Sequence, residues 1–206
     1  MSDGNDDTML RATRLDIPVE IRVHLIHLMN QTLASTTDLR SQVKQASWNA
    51  KGRESSGFRG LFKRIVSELE EYADLLADRI TVTGGLALGT ARVVASQSAL
   101  PEYPGDITDA GEHILALADR FVQCGKAIRY GISQAADVED SVTGAIYTDI
   151  SRGIDQRLSC LEAQFALMAI GYTGYTIGKW SPIQRSMRAE HKEASWPISS
   201  FLSNGW

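Results

Sequence analysis

Apolar residues recur at intervals of three, four and seven along four long stretches of the chain, as they do on one face of an α-helix. The pattern predicts helices over residues 17–49, 56–82, 109–134 and 137–169, and Gly84 and Gly85 are expected to end the second of them. In the last of these helices, the apolar face is expected to begin at Val142. No stretch alternates polar and apolar residues with period two, so no strand is expected and the chain is predicted to be all-α.

The connection between the second and third helices is the longest of the three. It contains a short apolar stretch at residues 91–96, expected to form a small helix, and then Pro101 and Pro104. Four long helices with one long crossover are typical of the ferritin-like arrangement rather than of a simple up-and-down bundle. The predicted fold is therefore a ferritin-like four-helix bundle with a short extra helix in the long connection.

The chain is expected to have three parts. Residues 1–15 form a flexible N-terminal arm, and residues 16–169 form the bundle. Residues 170–206 form a C-terminal extension that is rich in aromatic side chains. A solvated tail would not normally carry so many rings, so we expect this extension to dock and bury them.

The charge balance gives little support for electrostatic binding of nucleic acid. The formal net charge is −4 and the sequence pI is about 5.6. The first ten residues carry three aspartates and no lysine or arginine, whereas the C-terminal extension has a small basic excess. DNA contact therefore has only weak support. The sequence shows neither a secretory signal nor an apolar run of membrane-spanning length, so a cytoplasmic protein without membrane contact is expected.

Five short strings carry a resemblance. They are QASWNAKG at 45–52, DLLADRI at 74–80, TGGLALGT at 83–90, LPEYP at 100–104 and ISRGID at 150–155. Together they closely resemble the Dps family of ferritin-like proteins, the bacterial mini-ferritins, over about residues 16–166. The resemblance implies a homo-oligomeric shell of twelve subunits. It also implies iron storage and protection of DNA against iron, peroxide and oxidative stress.

The resemblance further implies a ferroxidase centre, in which iron(II) is oxidised at a site shared by two subunits. One subunit gives two histidines and an acid, and the other gives two acids four residues apart on the second helix. In this chain the three positions of the first set hold Ser47, Arg59 and Lys63. Only the acid pair is retained, as Asp74 and Asp78, which leaves a residual metal site at most.

These replacements suggest that the position of the ferroxidase centre has a structural role in this chain. Arg59 and Lys63 are expected to reach the acid pair of a neighbouring subunit, because a buried carboxylate needs a partner. Trp48, next to the first replaced ligand, is interpreted as a packing anchor in the same interface. The sequence therefore predicts a Dps-like shell whose iron-oxidising centre is largely lost.

Two other hypotheses stay open. In the first, iron is oxidised at a relocated site, for example one that uses His24 or His27 with acids from another helix. In the second, the chain is a non-catalytic shell or interaction protein whose extension binds a partner. His113 is interpreted as a structural histidine.

Overall fold

The computed structural model describes residues 10–52 and 55–171, and the chain divides into two compact units, Met1–Phe165 and Ala166–Trp206. Five helices are described: α1 (Val19–Asn49), α2 (Ser55–Val82), α3 (Ala91–Gln97), α4 (Ala110–Asp137) and α5 (Ser141–Gly171). The predicted all-α bundle with a small helix in its long connection is confirmed. Beyond the end of α5, the aromatic-rich extension lies outside the described residues. No described helix is long and apolar enough to cross a membrane.

The start of α5 differs from the prediction. The sequence pattern placed it at residue 137, but α4 continues to Asp137 and α5 begins at Ser141. Between them, Glu139 adopts φ 60°, and the Asp140 side chain accepts the backbone N–H groups of Val142 and Thr143. Asp140 therefore caps α5. Val142 was predicted to face inward but is 55% exposed, whereas the next residue, Thr143, is fully buried, so the buried face of α5 begins one residue later than predicted.

A fully buried tyrosine joins three helices in the core of the first unit. Tyr147 on α5 forms a 3.0 Å hydrogen bond between its phenol oxygen and the hydroxyl of Thr32 on α1. Its ring lies against Gly131 on α4, where any Cβ atom would collide with it. Burial raises the pKa of Tyr147 to about 12. The phenol therefore stays neutral and serves as a hydrogen-bonding core residue.

A glycine ends α2, as the sequence predicted. Gly84 has φ +91°, a conformation that side-chain-bearing residues rarely adopt. The backbone N–H of Gly85 donates to the carbonyl of Ile80, which satisfies one of the last carbonyls of the helix. The carbonyl of Gly84 in turn accepts the N–H of Arg11 at 2.7 Å. The segment before α1 is therefore hydrogen-bonded to the end of α2.

An ion pair with almost no solvent exposure links the end of α2 to the start of α5. Arg79 donates to both carboxylate oxygens of Asp140, at 2.9 and 2.7 Å, and also to the hydroxyl of Thr143. The two charged side chains are only 8% and 5% exposed. Burial alone would raise the pKa of Asp140, but hydrogen bonds from Thr143 and Arg79 outweigh it and lower that pKa.

The two cysteines are not paired with each other. Cys124 on α4 is 1% exposed, and burial raises the pKa of its thiol to about 12. Cys160 on α5 is partly exposed.

Candidate functional site

A cleft between the end of α1 and the first half of α2 brings together the three replaced ligand positions. Its volume is about 670 Å³. The lining residues are Lys44, Ser47, Trp48, Arg59, Lys63, Val66 and Ser67. The two helices are joined by a short connection, so the last turn of α1 lies beside the first turns of α2. The sequence prediction that Ser47, Arg59 and Lys63 share one location is consistent with this geometry.

The lining of the cleft is basic. It includes three cationic side chains, those of Lys44, Arg59 and Lys63, and no carboxylate. Arg59 and Lys63 are exposed and make no ion pair with any other described residue. Since nothing among the described residues neutralises them, the cleft favours anionic groups and disfavours metal cations.

The lining of this cleft includes one aromatic residue, Trp48. Its side chain is 69% exposed, which is unusual for a tryptophan, and Lys44 Nζ lies 5.9 Å from the ring centroid. The distance is within the range of a cation–π contact. Sequence reasoning did not single out Lys44. The available signal was its spacing, since it lies three residues before Ser47 and four before Trp48 on the same helix face.

The retained acid pair lies elsewhere on the same helix. Asp74 and Asp78 are exposed, and neither lines the cleft. Lys63 and Asp74 are eleven residues apart, which is about 16 Å along a helix. Neither carboxylate forms an ion pair within the described part of the chain. Within a single chain, the acids and the cations of the replaced site therefore do not meet.

The histidines of α1 lie away from this cleft and from carboxylate clusters. His24 Nε2 lies 3.0 Å from the side-chain oxygen of Gln134 on α4. His27 is 3.1 Å from Gln31 in the next turn. Among the described residues, no group of three or more histidine, cysteine, aspartate or glutamate side chains is placed to hold a metal ion. No observation favours the hypothesis of a relocated iron site.

Glu68 has a structural role that its sequence context did not reveal. Its place in a run of acids on α2, with Glu70 and Glu71, is typical of a solvated helix face. Instead, its carboxylate accepts two hydrogen bonds from the guanidinium of Arg157 on α5. Beside this pair, Tyr72 lies so close to Gly153 that a Cβ atom there would collide with the phenol oxygen. These contacts fasten the middle of α2 to α5.

His113 belongs to a buried cluster under the long connection. Its Nδ1 lies 2.8 Å from the hydroxyl of Tyr103, the two rings stack, and the guanidinium of Arg120 lies over the tyrosine ring. Its Nε2 is buried with no hydrogen-bond partner among the described residues. Burial lowers the pKa of His113, although the charges of Glu112 and Asp109 act in the opposite direction. Folding therefore favours the neutral form of this imidazole.

This lowered pKa predicts a loss of stability in mild acid. An unfolded histidine has a pKa of about 6.5, so below that pH the unfolded chain binds a proton that the folded chain resists. The stabilisation is complete above this value and decreases as the pH falls towards the folded pKa, by at most about 1.4 kcal/mol per pH unit. The loss of stability is measured as the difference between the denaturant midpoints at pH 7.5 and pH 5.5.

The matched variants are His113→Gln and His24→Gln. We expect His113→Gln to reduce the difference between the denaturant midpoints at pH 7.5 and 5.5, because glutamine does not titrate in this range. The second changes an exposed histidine and should leave the dependence as in the wild-type protein. Equal pH dependence in the wild-type protein and His113→Gln would contradict the assignment.

Comparison with known proteins gives consistent matches. The ferritin-like domain family matches residues 26–169. A DNA protection during starvation protein of Agrobacterium fabrum is 34% identical over 151 residues, which cover 73% of this chain and 93% of that protein.

Solved structures agree in fold. DpsA14 from Streptomyces coelicolor has a TM-score of 0.73 at 23% identity, covering 76% of this chain and 93% of its own. A Dps protein from Vibrio cholerae O1, described as a member of a broad superfamily of ferritin-like diiron-carboxylate proteins, has a TM-score of 0.68 at 19% identity. That match covers 74% of this chain and 99% of the Vibrio chain. The bundle and its long connection are thus shared with these proteins.

Proposed function

Because this chain belongs to the Dps family of ferritin-like proteins, we propose that it forms a homo-oligomeric shell that stores iron and protects DNA against oxidative damage without the usual ferroxidase centre. Twelve subunits is the number implied by the resemblance. In this function the shell holds iron, but its subunits lack the family's fast oxidation of iron(II).

The observation that carries this proposal is the basic cleft. Iron(II) and iron(III) are held by carboxylate oxygens and neutral imidazoles. At the three positions where the family places such ligands, this chain offers the hydroxyl of Ser47 and the cations of Arg59 and Lys63. The nearby Lys44 adds a third positive charge. A metal cation would be repelled there, and the Asp74–Asp78 pair alone gives too few ligands for a tight iron site.

The storage and protection roles are supported by the relatives. The Agrobacterium fabrum protein is named for DNA protection during starvation, and the Vibrio cholerae protein is assigned to the diiron-carboxylate superfamily. A chain with a formal net charge of −4 has little electrostatic attraction for DNA. We therefore attribute protection mainly to withholding iron from peroxide, with coating of DNA as the alternative route.

Iron(II) oxidation tests the proposal. Protein loaded anaerobically with iron(II) and then mixed with peroxide or oxygen should give no fast, saturable ferric absorbance that scales with protein concentration. Iron added slowly in air should nevertheless co-elute with the protein on gel filtration.

Two results would contradict the proposal. A rapid phase that saturates at a small whole number of iron ions per subunit would show that an oxidation centre is present. Failure of slowly added iron to co-elute would remove the storage role. A protein-free sample corrects both measurements for autoxidation.

A further inference from the structure

The basic cleft holds positive charge that no described carboxylate balances. Arginines elsewhere on the helices are paired with carboxylates, namely Arg40, Arg79, Arg129, Arg152 and Arg157. Arg59 and Lys63, by contrast, lie four residues apart on one face of α2, a spacing at which like charges destabilise a helix. Lys44 adds a third cation from α1. The cleft therefore lacks a counter-charge, which an anionic ligand would supply.

The charges of the cleft suit a phosphate group in particular. A guanidinium donates hydrogen bonds to two phosphate oxygens at once, and a lysine ammonium adds a point charge. A phosphate monoester carries a charge of about −1.5 to −2 at neutral pH, so two cations one helical turn apart neutralise it. The hydroxyls of Ser47 and Ser67 also line the cleft and can donate to ligand oxygens. A monoester thus matches the cleft better than an anion with a single charge.

The size of the cleft and its aromatic residue indicate that the phosphate belongs to a larger ligand. The volume of about 670 Å³ lies in the range of about 300–1,000 Å³ that holds organic ligands, more than a lone phosphate ion fills. The Trp48 side chain is 69% exposed, and an exposed indole stacks on flat rings such as nucleic-acid bases. Lys44 Nζ, 5.9 Å from the ring centroid, is near the outer limit of a cation–π contact and can leave the ring for a phosphate.

We propose that this cleft binds a mononucleotide, with the phosphate between Arg59 and Lys63 and the base stacked on Trp48. Lys44 lies beside the indole and supplies the third positive charge. The site goes beyond the proposed function, since nothing in it requires iron. At the place of the missing metal ligands, the chain then has a site for a phosphorylated small molecule.

Calorimetry with four probes tests both parts of the site. The probes are AMP, ribose 5-phosphate, adenosine and inorganic phosphate, each titrated into the full-length protein in iron-free buffer. We expect AMP to bind more tightly than each of the others, because only AMP carries both the phosphate and the base. Absence of AMP binding would overturn the proposal. So would binding of inorganic phosphate as tight as that of AMP, since the cleft would then take the ion alone.

Two single variants should act on different probes. Arg59→Gln removes the guanidinium, and we expect it to weaken binding of AMP and of ribose 5-phosphate about tenfold or more, as loss of a charge-assisted hydrogen bond does. Trp48→Leu keeps an apolar side chain but removes the stacking surface. It should weaken AMP about tenfold and leave ribose 5-phosphate unchanged. An equal loss for both probes in Trp48→Leu would show a merely structural role of the indole and contradict the assignment.

Arg64→Gln is the matched control for these variants. Arg64 is an exposed cation of α2 that does not line the cleft, so its variant should bind AMP like the wild-type protein. Circular dichroism verifies helix content in every sample. A loss of AMP binding in Arg64→Gln equal to that in Arg59→Gln would show a general charge effect rather than a site.

Two other occupants of the cleft give different results. If Asp74 and Asp78 of a second copy filled it, the wild-type protein would bind no AMP and the variant Asp74→Asn, Asp78→Asn would bind it. If it held single-stranded nucleic acid, an oligonucleotide of ten thymidines would bind more tightly than AMP. Either result would overturn the proposal. Its failure would leave the proposed storage role standing, whereas a fast iron-oxidation phase would remove that role's premise without changing the titrations.

Discussion

Replacing three residues of the basic cleft with metal ligands should give this protein fast iron oxidation. The triple variant Ser47→His, Arg59→His and Lys63→Asp supplies the two imidazoles and the carboxylate that the family resemblance implies. Loss of groups that merely orient metal ligands costs 10–100-fold in affinity or activity, so regaining three ligands should raise the initial oxidation rate at least about tenfold. Stopped-flow ferric absorbance after anaerobic iron(II) loading measures the change.

The single variant Ser47→His is the matched control for this experiment. It restores one imidazole but leaves the cations of Arg59 and Lys63 in the cleft. We expect it to behave as the wild-type protein, because the remaining positive charges still repel iron. The triple variant could keep the oligomer size of the wild-type protein on gel filtration and yet oxidise iron no faster. That result would show that this cleft does not correspond to the family's ferroxidase centre.

Removing the charge of Asp140 should cost more stability than removing any exposed ion pair among the described residues. In Asp140→Asn, the guanidinium of Arg79 stays buried without a counter-charge, and loss of one partner of a buried pair costs about 3–5 kcal/mol. Asparagine still caps a helix, so the loss reports on the ion pair rather than on the start of α5. The expected fall in melting temperature is roughly 10 °C, followed by circular dichroism.

An exposed pair gives the comparison. Arg152 and Asp149 are 74% and 66% exposed, and pairs of this kind contribute about 0–1 kcal/mol. Asp149→Asn should therefore shift the melting temperature by only a few degrees at most. The double variant Asp140→Asn, Arg79→Met should lose less stability than the sum of the losses in the two single variants, because the two side chains interact directly. Similar shifts for Asp140→Asn and Asp149→Asn would contradict the assignment.

Most of the fold could be predicted because it depends on local patterns. The 3.6-residue periodicity marked all four long helices, and Gly84 marked the end of α2 where a positive φ was needed. The start of α5 was placed too early because the acids from Asp137 onward suit a helix N-terminus equally well. Only the backbone shows that Asp140 is the capping residue.

The candidate site was predictable only in part. The family strings located Ser47, Arg59 and Lys63, and the cleft contains all three. The pairing of Arg79 with Asp140 joins residues 61 positions apart, and that of Glu68 with Arg157 spans 89. Contacts at such separations depend on how the helices pack, which the periodicity of single helices does not specify.

The burial of Cys124 has a consequence for a protein expected to work in the presence of peroxide. Peroxide attacks the thiolate form of cysteine, and a pKa of about 12 leaves roughly one thiol in 10⁵ ionised at neutral pH. Together with its burial, this low ionised fraction protects the sulfur from conversion to sulfenic acid. Tight packing of α4 thus also acts as chemical protection, keeping an oxidisable atom in the core intact through the stress that the shell is proposed to meet.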